Sequence, residues 1–354
     1  MVLRNAWYAA EASSVLVNNL HGVRILGEDV LLYRKKDGEV AALEDACPHR
    51  KVPLSLGKRC GDFVECAYHG LTFDASGSCV RAPGTGSVAK RARVHSYPVA
   101  ERYGLIWVWM GDTALADPHA IFHVDNWGDP EWGCTPIDSM VVACNYLYIT
   151  DNLLDPTHVA WVHPTSFGDL ACAETPLRSV VLPSGVAVSR WMLDVEVAPF
   201  YAKFVKFTGN ADRQQYYEVR FPSHAVIRAV FAPAGMGGPE GRHCPDTFLM
   251  DSYNFMTPVD EHTTRYFWFQ MRNFAPGDEQ VSASFATSVR AAFEEDKRVL
   301  EAVHKGMQYS RTPHIDLPSD AGPTRFRRRL AELIRAEETV LSVGSGNALS
   351  ADTA

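Results

Sequence analysis

The chain has 354 residues, 46% of them hydrophobic and 21% charged, with a net charge of −8. That length and apolar share suffice for two domains or one large core, and the negative balance argues against a nucleic-acid or anionic-membrane surface. No leader, transit peptide or apolar run long enough for a bilayer is apparent. A soluble, cytoplasmic protein is expected, and its eight cysteines read as thiols and metal ligands, not as a disulfide framework.

In chain order, Arg4-Asn5-Ala6-Trp7-Tyr8 is an aromatic lead-in. From Val23 to Trp109 short apolar or alternating runs (Val30–Tyr33, Val40–Leu43, Phe63–Cys66, Leu105–Trp109) are separated by turn signals such as Lys36-Asp37-Gly38 and Ala75-Ser76-Gly77. This pattern predicts a small antiparallel β domain. Gly111-Asp112 and the Asp117-Pro118 and Asp129-Pro130 steps mark a boundary, placing the first domain at residues 1–115.

Inside that domain lie Cys47-Pro48-His49 and Cys66-Ala67-Tyr68-His69, with sixteen residues between His49 and Cys66. Zinc fingers group their cysteines in one place and their histidines on a helix. Here each of two loops pairs one Cys with one His in β text. A Rieske [2Fe-2S] centre needs two thiolates on one iron and two imidazoles on the other, and two such loops supply that set. Cys60 and Cys79 read as ordinary buried thiols.

Met140 to Ile149 reads as a strand leading into a helix over residues 151–163, Asp-Asn-Leu-Leu-Asp-Pro-Thr-His-Val-Ala-Trp-Val-His. Asn152, Asp155 and His158 recur every third residue and share one helical face. His163 lies five beyond His158, so both imidazoles meet one ion only if the helix ends or bends between them; Pro164 disfavours helical geometry at His163. Two imidazoles and a later carboxylate would form a facial triad suited to Fe(II). Buried, hydrogen-bonded core histidines are the other reading.

From 177 to 275 apolar alternation returns in Val180–Leu182, Val186–Met192, Phe204–Phe207, Val219–Phe221, Ala225–Ala232, Phe248–Met256 and Thr263–Met271, which predicts a second antiparallel sheet. On Ala225–Ala232, Arg228 shares its face with Val226, Val230 and Ala232. A guanidinium there needs an anion, either a substrate carboxylate or sulfonate or Glu218 or Asp251 on a neighbouring strand. Residues 235–241 form a loop. Residues 283–307 carry a helical stripe of Val289, Phe293, Leu300 and Val303, and Asp296 falls within it. A carboxylate in that setting is paired or metal-bound. Residues 322–339 predict a last helix, 116–341 a second domain, and 342–354 a disordered tail.

These motifs resemble the oxygenase components of Rieske non-haem iron oxygenases, in the branch with vanillate O-demethylase, toluenesulfonate methyl-monooxygenase and dicamba O-demethylase. The resemblance runs from Arg4-Asn5-Ala6-Trp7-Tyr8 through both cluster loops and the Asp151–His163 stretch to Asp296. It implies an α+β fold: an antiparallel β Rieske domain, then a catalytic domain of antiparallel sheet and helices of the helix-grip, Bet v1-like kind. It implies Cys47, His49, Cys66 and His69 as cluster ligands, and His158, His163 and Asp296 as ligands of a mononuclear Fe(II). Asp155 would link His158 to His69 of a neighbouring subunit in a homotrimer, and Asn152 would line the iron pocket. Asn254 matches a polar substrate contact of the dicamba enzyme.

The implied activity is that of a terminal oxygenase. It would use O2 and electrons from NAD(P)H, delivered by a separate flavin/iron–sulfur reductase with or without a ferredoxin. It would O-demethylate or methyl-hydroxylate an anionic aromatic compound. A ring-hydroxylating dioxygenase α subunit forming a cis-diol shares both metal sites and remains an alternative. A Rieske electron-transfer protein would need only the first domain and leaves His158, His163 and Asp296 unexplained.

Overall fold

The computed structural model describes residues 1–84, 91–239, 241 and 244–348, with side chains as far as residue 340. Of the loop expected at 235–241, residue 240 lies outside the described residues. The chain divides into two compact units. One comprises Met1–His123, Thr257–Glu261 and Ala336–Ala354; the other comprises Val124–Met256 and His262–Arg335. The division falls at His123 instead of residue 115. Asp112 and Asp117 each cap a 3-10 turn, Thr113–Leu115 and Pro118–Ala120, and the Trp7 indole donates to the Asp117 carbonyl at 2.8 Å. The boundary turns are thereby tied to the first unit.

The first unit holds three small sheets. Trp7–Ala12, Leu105–Trp109 and Val99–Arg102 form one. His21–Ile25, Glu28–Arg34, Val40–Glu44 and Ser96–Tyr97 form the second. Lys58–Cys60, Phe63–Glu65, Thr72–Phe73 and Cys79–Arg81 form the third. Strand Glu28–Arg34 is apolar on both faces, and period-2 geometry divides its side chains. Val30 and Leu32 pack with Tyr8, Ile106 and Val108. Leu31 and Tyr33 pack with Leu43, Phe73, Cys47 and Cys66. Each such side chain contributes about 1.5–3 kcal/mol on full burial, so this strand anchors the cluster loops to the core. Cys60 and Cys79 are only half-buried, because they sit in short strands with few residues outside them.

The second unit is built on an eight-stranded sheet. Its order is Gly133–Cys134, Thr264–Arg272, Phe248–Pro258, His224–Pro233, Ala211–Arg220, Gly185–Val195 and Arg178–Leu182, with Asp138–Val142 also pairing Thr264–Arg272. A helix of 31 residues, Glu279–Tyr309, starts at Asp278, whose carboxylate accepts from the Gln280 and Val281 amides. Among the described residues, no helix is long and apolar enough to cross a membrane.

Four expectations change. The strand before the central helix stops at Val142, and Asn145 caps a helix from Tyr146. Phe204–Phe207 is not a strand. It follows a 3-10 turn, Tyr201–Lys203, and Phe204 joins a ring cluster with Phe200, Phe274 and Phe285; a four-residue apolar run is too short to distinguish the two cases. The buried stripe of the long helix runs Phe285, Val289, Ala292, Asp296, Leu300, His304, while Val303 lies 39% exposed, one position around the helix. The last helix continues from Ala321 to Ala348, so the tail expected from Ser342 is helical as far as Ala348. Extending an existing helix costs far less than nucleating one. Residues 349–354 lie outside the described residues.

Candidate metal centres

In the first unit, residues 47–52 and 66–71 form the same hydrogen-bonded loop twice. The Cys47 amide donates to the Val52 carbonyl and the Lys51 amide to the Cys47 carbonyl, at 2.9 and 2.8 Å; the Cys66 amide donates to Leu71 and the Gly70 amide to Cys66, at 2.8 and 3.1 Å. The fifth residue of each loop turns left-handed, with φ of 59° at Lys51 and 70° at Gly70. Glycine adopts that conformation freely; Lys51 is held in it by the loop. Cys47 and Cys66 are buried, whereas His49 and His69 are exposed, with ring centroids 4.6 Å apart. Burial pushes the Cys47 thiol up; the backbone amides of His49 and Arg50 point at its sulfur and act the other way, and Cys66 lies within hydrogen-bonding reach. Two sulfurs inside and two imidazoles outside match the donor set of a Rieske cluster.

In the second unit, the expected helix over 151–163 is broken. Helix Tyr146–Leu154 ends at Asp155, a 3-10 turn covers Pro156–His158, and a short helix covers Val159–Val162. The break precedes His158, because Pro156 excludes helical geometry from Asp155, which has φ −127° and ψ 77°. Asn152, Asp155 and His158 therefore do not share a helical face. The Asp155 carboxylate caps the new turn at the Thr157 amide, and its carbonyl accepts from His158 Nδ1 at 2.7 Å. Gly168 backs the short helix; a Cβ there would meet the Val159 carbonyl oxygen at 2.0 Å.

His158, His163 and Asp296 come together with donor atoms within 4.8 Å of one another. Asp296 Oδ1 lies 3.6 Å from His158 Nε2 and 3.2 Å from His163 Nε2. Ligands about 2.1 Å from one ion and at right angles lie roughly 3 Å apart, so the spacing suits a shared ion. His163 Nδ1 faces Glu295 Oε2 at 2.7 Å. With both Nδ1 atoms engaged elsewhere, each ring turns Nε2 toward Asp296, the orienting arrangement usual around metal-bound histidines. Burial alone would lower the pKa of His163, but Asp296 and Glu295 outweigh it and raise it. Asn152 Nδ2 donates to Asp296 Oδ1 at 3.2 Å. The set fits a non-haem iron, and all three residues line one cavity.

The cavity beside this triad is walled by Leu153, Val159, Phe167, Ile227, Met250 and Phe293, with Tyr201, Tyr217, Ser252 and Arg213 as further polar lining. Arg228 does not reach it. Ile227 faces the cavity, so Arg228 points to the opposite face of the sheet, where it makes a two-point pair with Asp251 at 2.8 and 2.9 Å and reaches Asp125 at 3.3 Å. Of the two partners open in the sequence, the neighbouring strand supplies the anion. Asn254 is on the cavity side of its strand but fully buried, with its amide engaged by the Ser252 carbonyl and the Tyr266 hydroxyl.

The sequence reading missed Arg190, Arg213 and the bracing of His163 by Glu295. Arg190 holds the iron-site turn through the Pro156 carbonyl at 2.9 Å. Arg213 is 1% exposed, with Nη1 on Asp169 Oδ2 at 2.7 Å and Nη2 on the Phe167 carbonyl at 2.8 Å. Its Nε has no acceptor, a state that costs about 1–3 kcal/mol for a buried donor. Alternation could have found Arg190, which shares parity with Val186, Val188 and Met192 on one strand.

Comparison with known proteins agrees with both centres. Residues 6–98 match the Rieske [2Fe-2S] domain family, and residues 142–336 match the vanillate O-demethylase oxygenase C-terminal domain. The chain is 39% identical to the toluene-4-sulfonate monooxygenase system iron-sulfur subunit TsaM1 of Comamonas testosteroni, over 95% of this chain and 98% of that one. It is 36% identical to a vanillate O-demethylase oxygenase subunit of a Pseudomonas species, over 96% of both. Crystalline dicamba monooxygenase bound to 3,6-dichlorosalicylic acid superposes with a TM-score of 0.88 at 30% identity, over 96% and 99% of the two chains. The two domains together with these relatives define a Rieske-type monooxygenase. Within that class, this chain belongs to the Rieske non-haem iron oxygenases as the oxygenase component of a multicomponent system. Its cofactors are a [2Fe-2S] cluster and a mononuclear iron, and a separate reductase or ferredoxin supplies the electrons.

Proposed function

We propose that this oxygenase O-demethylates or methyl-hydroxylates an anionic aromatic compound and works as a homotrimer. The observation that carries the reading is the convergence of His158, His163 and Asp296 beside an apolar cavity, both histidines turned by bonds at Nδ1. In this reading those three residues hold the iron, and Cys47, His49, Cys66 and His69 hold the cluster. When bound, the two groups together supply O2 activation and electron delivery: one oxygen atom enters the methyl group, the other leaves as water, and two electrons and two protons are consumed. A hydroxylated methoxy carbon then releases formaldehyde.

The protein's own part is orientation and exclusion of water. Asn152 donates to Asp296 and fixes its carboxylate. Glu295 and the Asp155 carbonyl set the planes of the two imidazoles. Leu153, Val159, Ile227 and Phe293 offer an apolar seat for a ring.

The trimer is supported by the surface around these residues. His69 is exposed and Asp155 half-exposed. Trp161 is 70% exposed and Leu170 65% exposed beside the iron-site turn, an apolar surface of the sort that interfaces cover. We assign Asp155 as the link from His158 to His69 of an adjoining subunit. Asp155→Asn is expected to retain both metals and the trimer while turnover falls at least about a hundred-fold. Turnover with labelled O2 and a matched reductase, followed as formaldehyde or hydroxymethyl product, tests the reaction; a cis-diol product overturns it. Sedimentation measures the assembly, and loss of iron from Asp155→Asn would make that residue a ligand.

A further inference from the structure

The cavity beside the iron triad contains one cation among its described lining residues, and the function above does not yet use it. Arg213 sits on strand Ala211–Arg220, with its guanidinium over the rings of Tyr201 and Phe231 at 5.4 and 5.1 Å. Asp169 and the Phe167 carbonyl hold Nη1 and Nη2, and the Cys172 sulfur lies 3.3 Å from Nη1. The head group is thus fixed in orientation, with the Tyr201 hydroxyl beside it, while Nε–H, also buried, makes no hydrogen bond.

Two further observations point the same way. Gln215, on the same face of the same strand, accepts from Arg190 Nε through its carbonyl oxygen at 2.7 Å, and its own Nε2 is buried without a partner. Two buried donors therefore lack acceptors on adjacent same-face positions. Among the described residues, Arg190 itself bonds neutral acceptors only, Gln215 Oε1, Thr175 O and Pro156 O. Asp169 is in contact with the Arg213 guanidinium, and Asp155 acts on Arg190 from further off. Asp296 and Glu295 are turned to the histidines.

We propose that Arg213 is the anchor for the substrate's anion: Nε–H donates to a carboxylate or sulfonate oxygen on the aromatic ring. A buried, prefixed guanidinium suits such oxyanions better than a lysine would. This assignment rests on the reading of an anionic aromatic substrate, and the test separates the two.

The holoenzyme is titrated calorimetrically, and assayed with its reductase, against methyl- and methoxy-substituted benzoates and benzenesulfonates and their neutral methyl esters and sulfones. The variants are Arg213→Met with Asp169→Asn, which removes both charges of the buried pair together, and Arg213→Lys, which keeps charge but loses the Nε donor. The wild type is expected to prefer the acids. The double variant should raise Kd and KM for the acids roughly ten- to hundred-fold, leaving those for the neutral partners and the iron content nearly unchanged. If the double variant does not fold, Arg213→Lys carries the test and should weaken the acids selectively. Wild type favouring acids, with that preference kept in a folded variant, overturns the role of Arg213 and leaves the anionic reading standing. Wild type with no preference overturns both. Equal weakening of acids and neutral partners makes Arg213 structural.

Discussion

The two metal centres are built by different means. The residues proposed to hold the cluster come from two copies of one short loop, each closed by its own backbone hydrogen bonds. Those proposed to hold the iron come from segments so distant that His163 and its brace Glu295 are 132 positions apart. The first geometry is local, set by loop residues and one buried strand. The second exists only when a broken helix and a long helix pack against one sheet. Local geometry tolerates change elsewhere in the chain, whereas assembled geometry is exposed to it.

The sharpest way to break this comparison is to remove one ligand from each centre. Cys66→Ser is expected to abolish the Rieske absorption and turnover while the mononuclear iron stays. Asp296→Ala should lose the mononuclear iron and turnover with the Rieske spectrum unmoved. If either change empties both centres, the sites are not independently built. Next in size, Glu295→Gln should lower iron affinity about 10–100-fold, as loss of an orienting carboxylate does elsewhere; chelator competition measures it, and unchanged affinity would make the 2.7 Å contact incidental.

Arg228→Met removes the partner of Asp251, which is 1% exposed. A loss of about 2 kcal/mol in stability is expected, with KM for an aromatic acid and for its ester both unchanged from wild type; a selective effect on the acid would return Arg228 to the substrate. The smallest effect concerns the long helix. Asp278→Ala removes its N-cap and should cost about 1 kcal/mol. Iron affinity should fall slightly under denaturant while the cluster spectrum holds, since only the assembled centre depends on that helix.

The same contrast explains what could be read in advance. Cys47, His49, Cys66 and His69 are legible because spacing within a loop is spacing in sequence. Asp296 is legible as a charge on an apolar stripe. The break at Asp155 was readable from the Asp155-Pro156-Thr157 step, a cap followed by proline at the first position of a turn, yet the recurrence of Asn152, Asp155 and His158 suggested one helix. Arg228 was placed on the correct strand and parity, but parity does not say which face holds the cavity. That depends on which side the long helix covers, a long-range fact. Arg213 went unread for the same reason: its pairing with Asp169 and its unfilled Nε depend on chain segments far apart.

One contact has a mechanical consequence. Glu295 and Asp296 are neighbours on one rigid helix and hold opposite edges of the His163 ring, while His158 is tied to the carbonyl of Asp155 on another segment. If the long helix slides or rocks, as packed helices do in shear motions, Glu295 and Asp296 travel as one body against the segment that carries both imidazoles. The lengths that then change run from the Asp296 carboxylate to the two rings, 3.6 Å to His158 and 3.2 Å to His163.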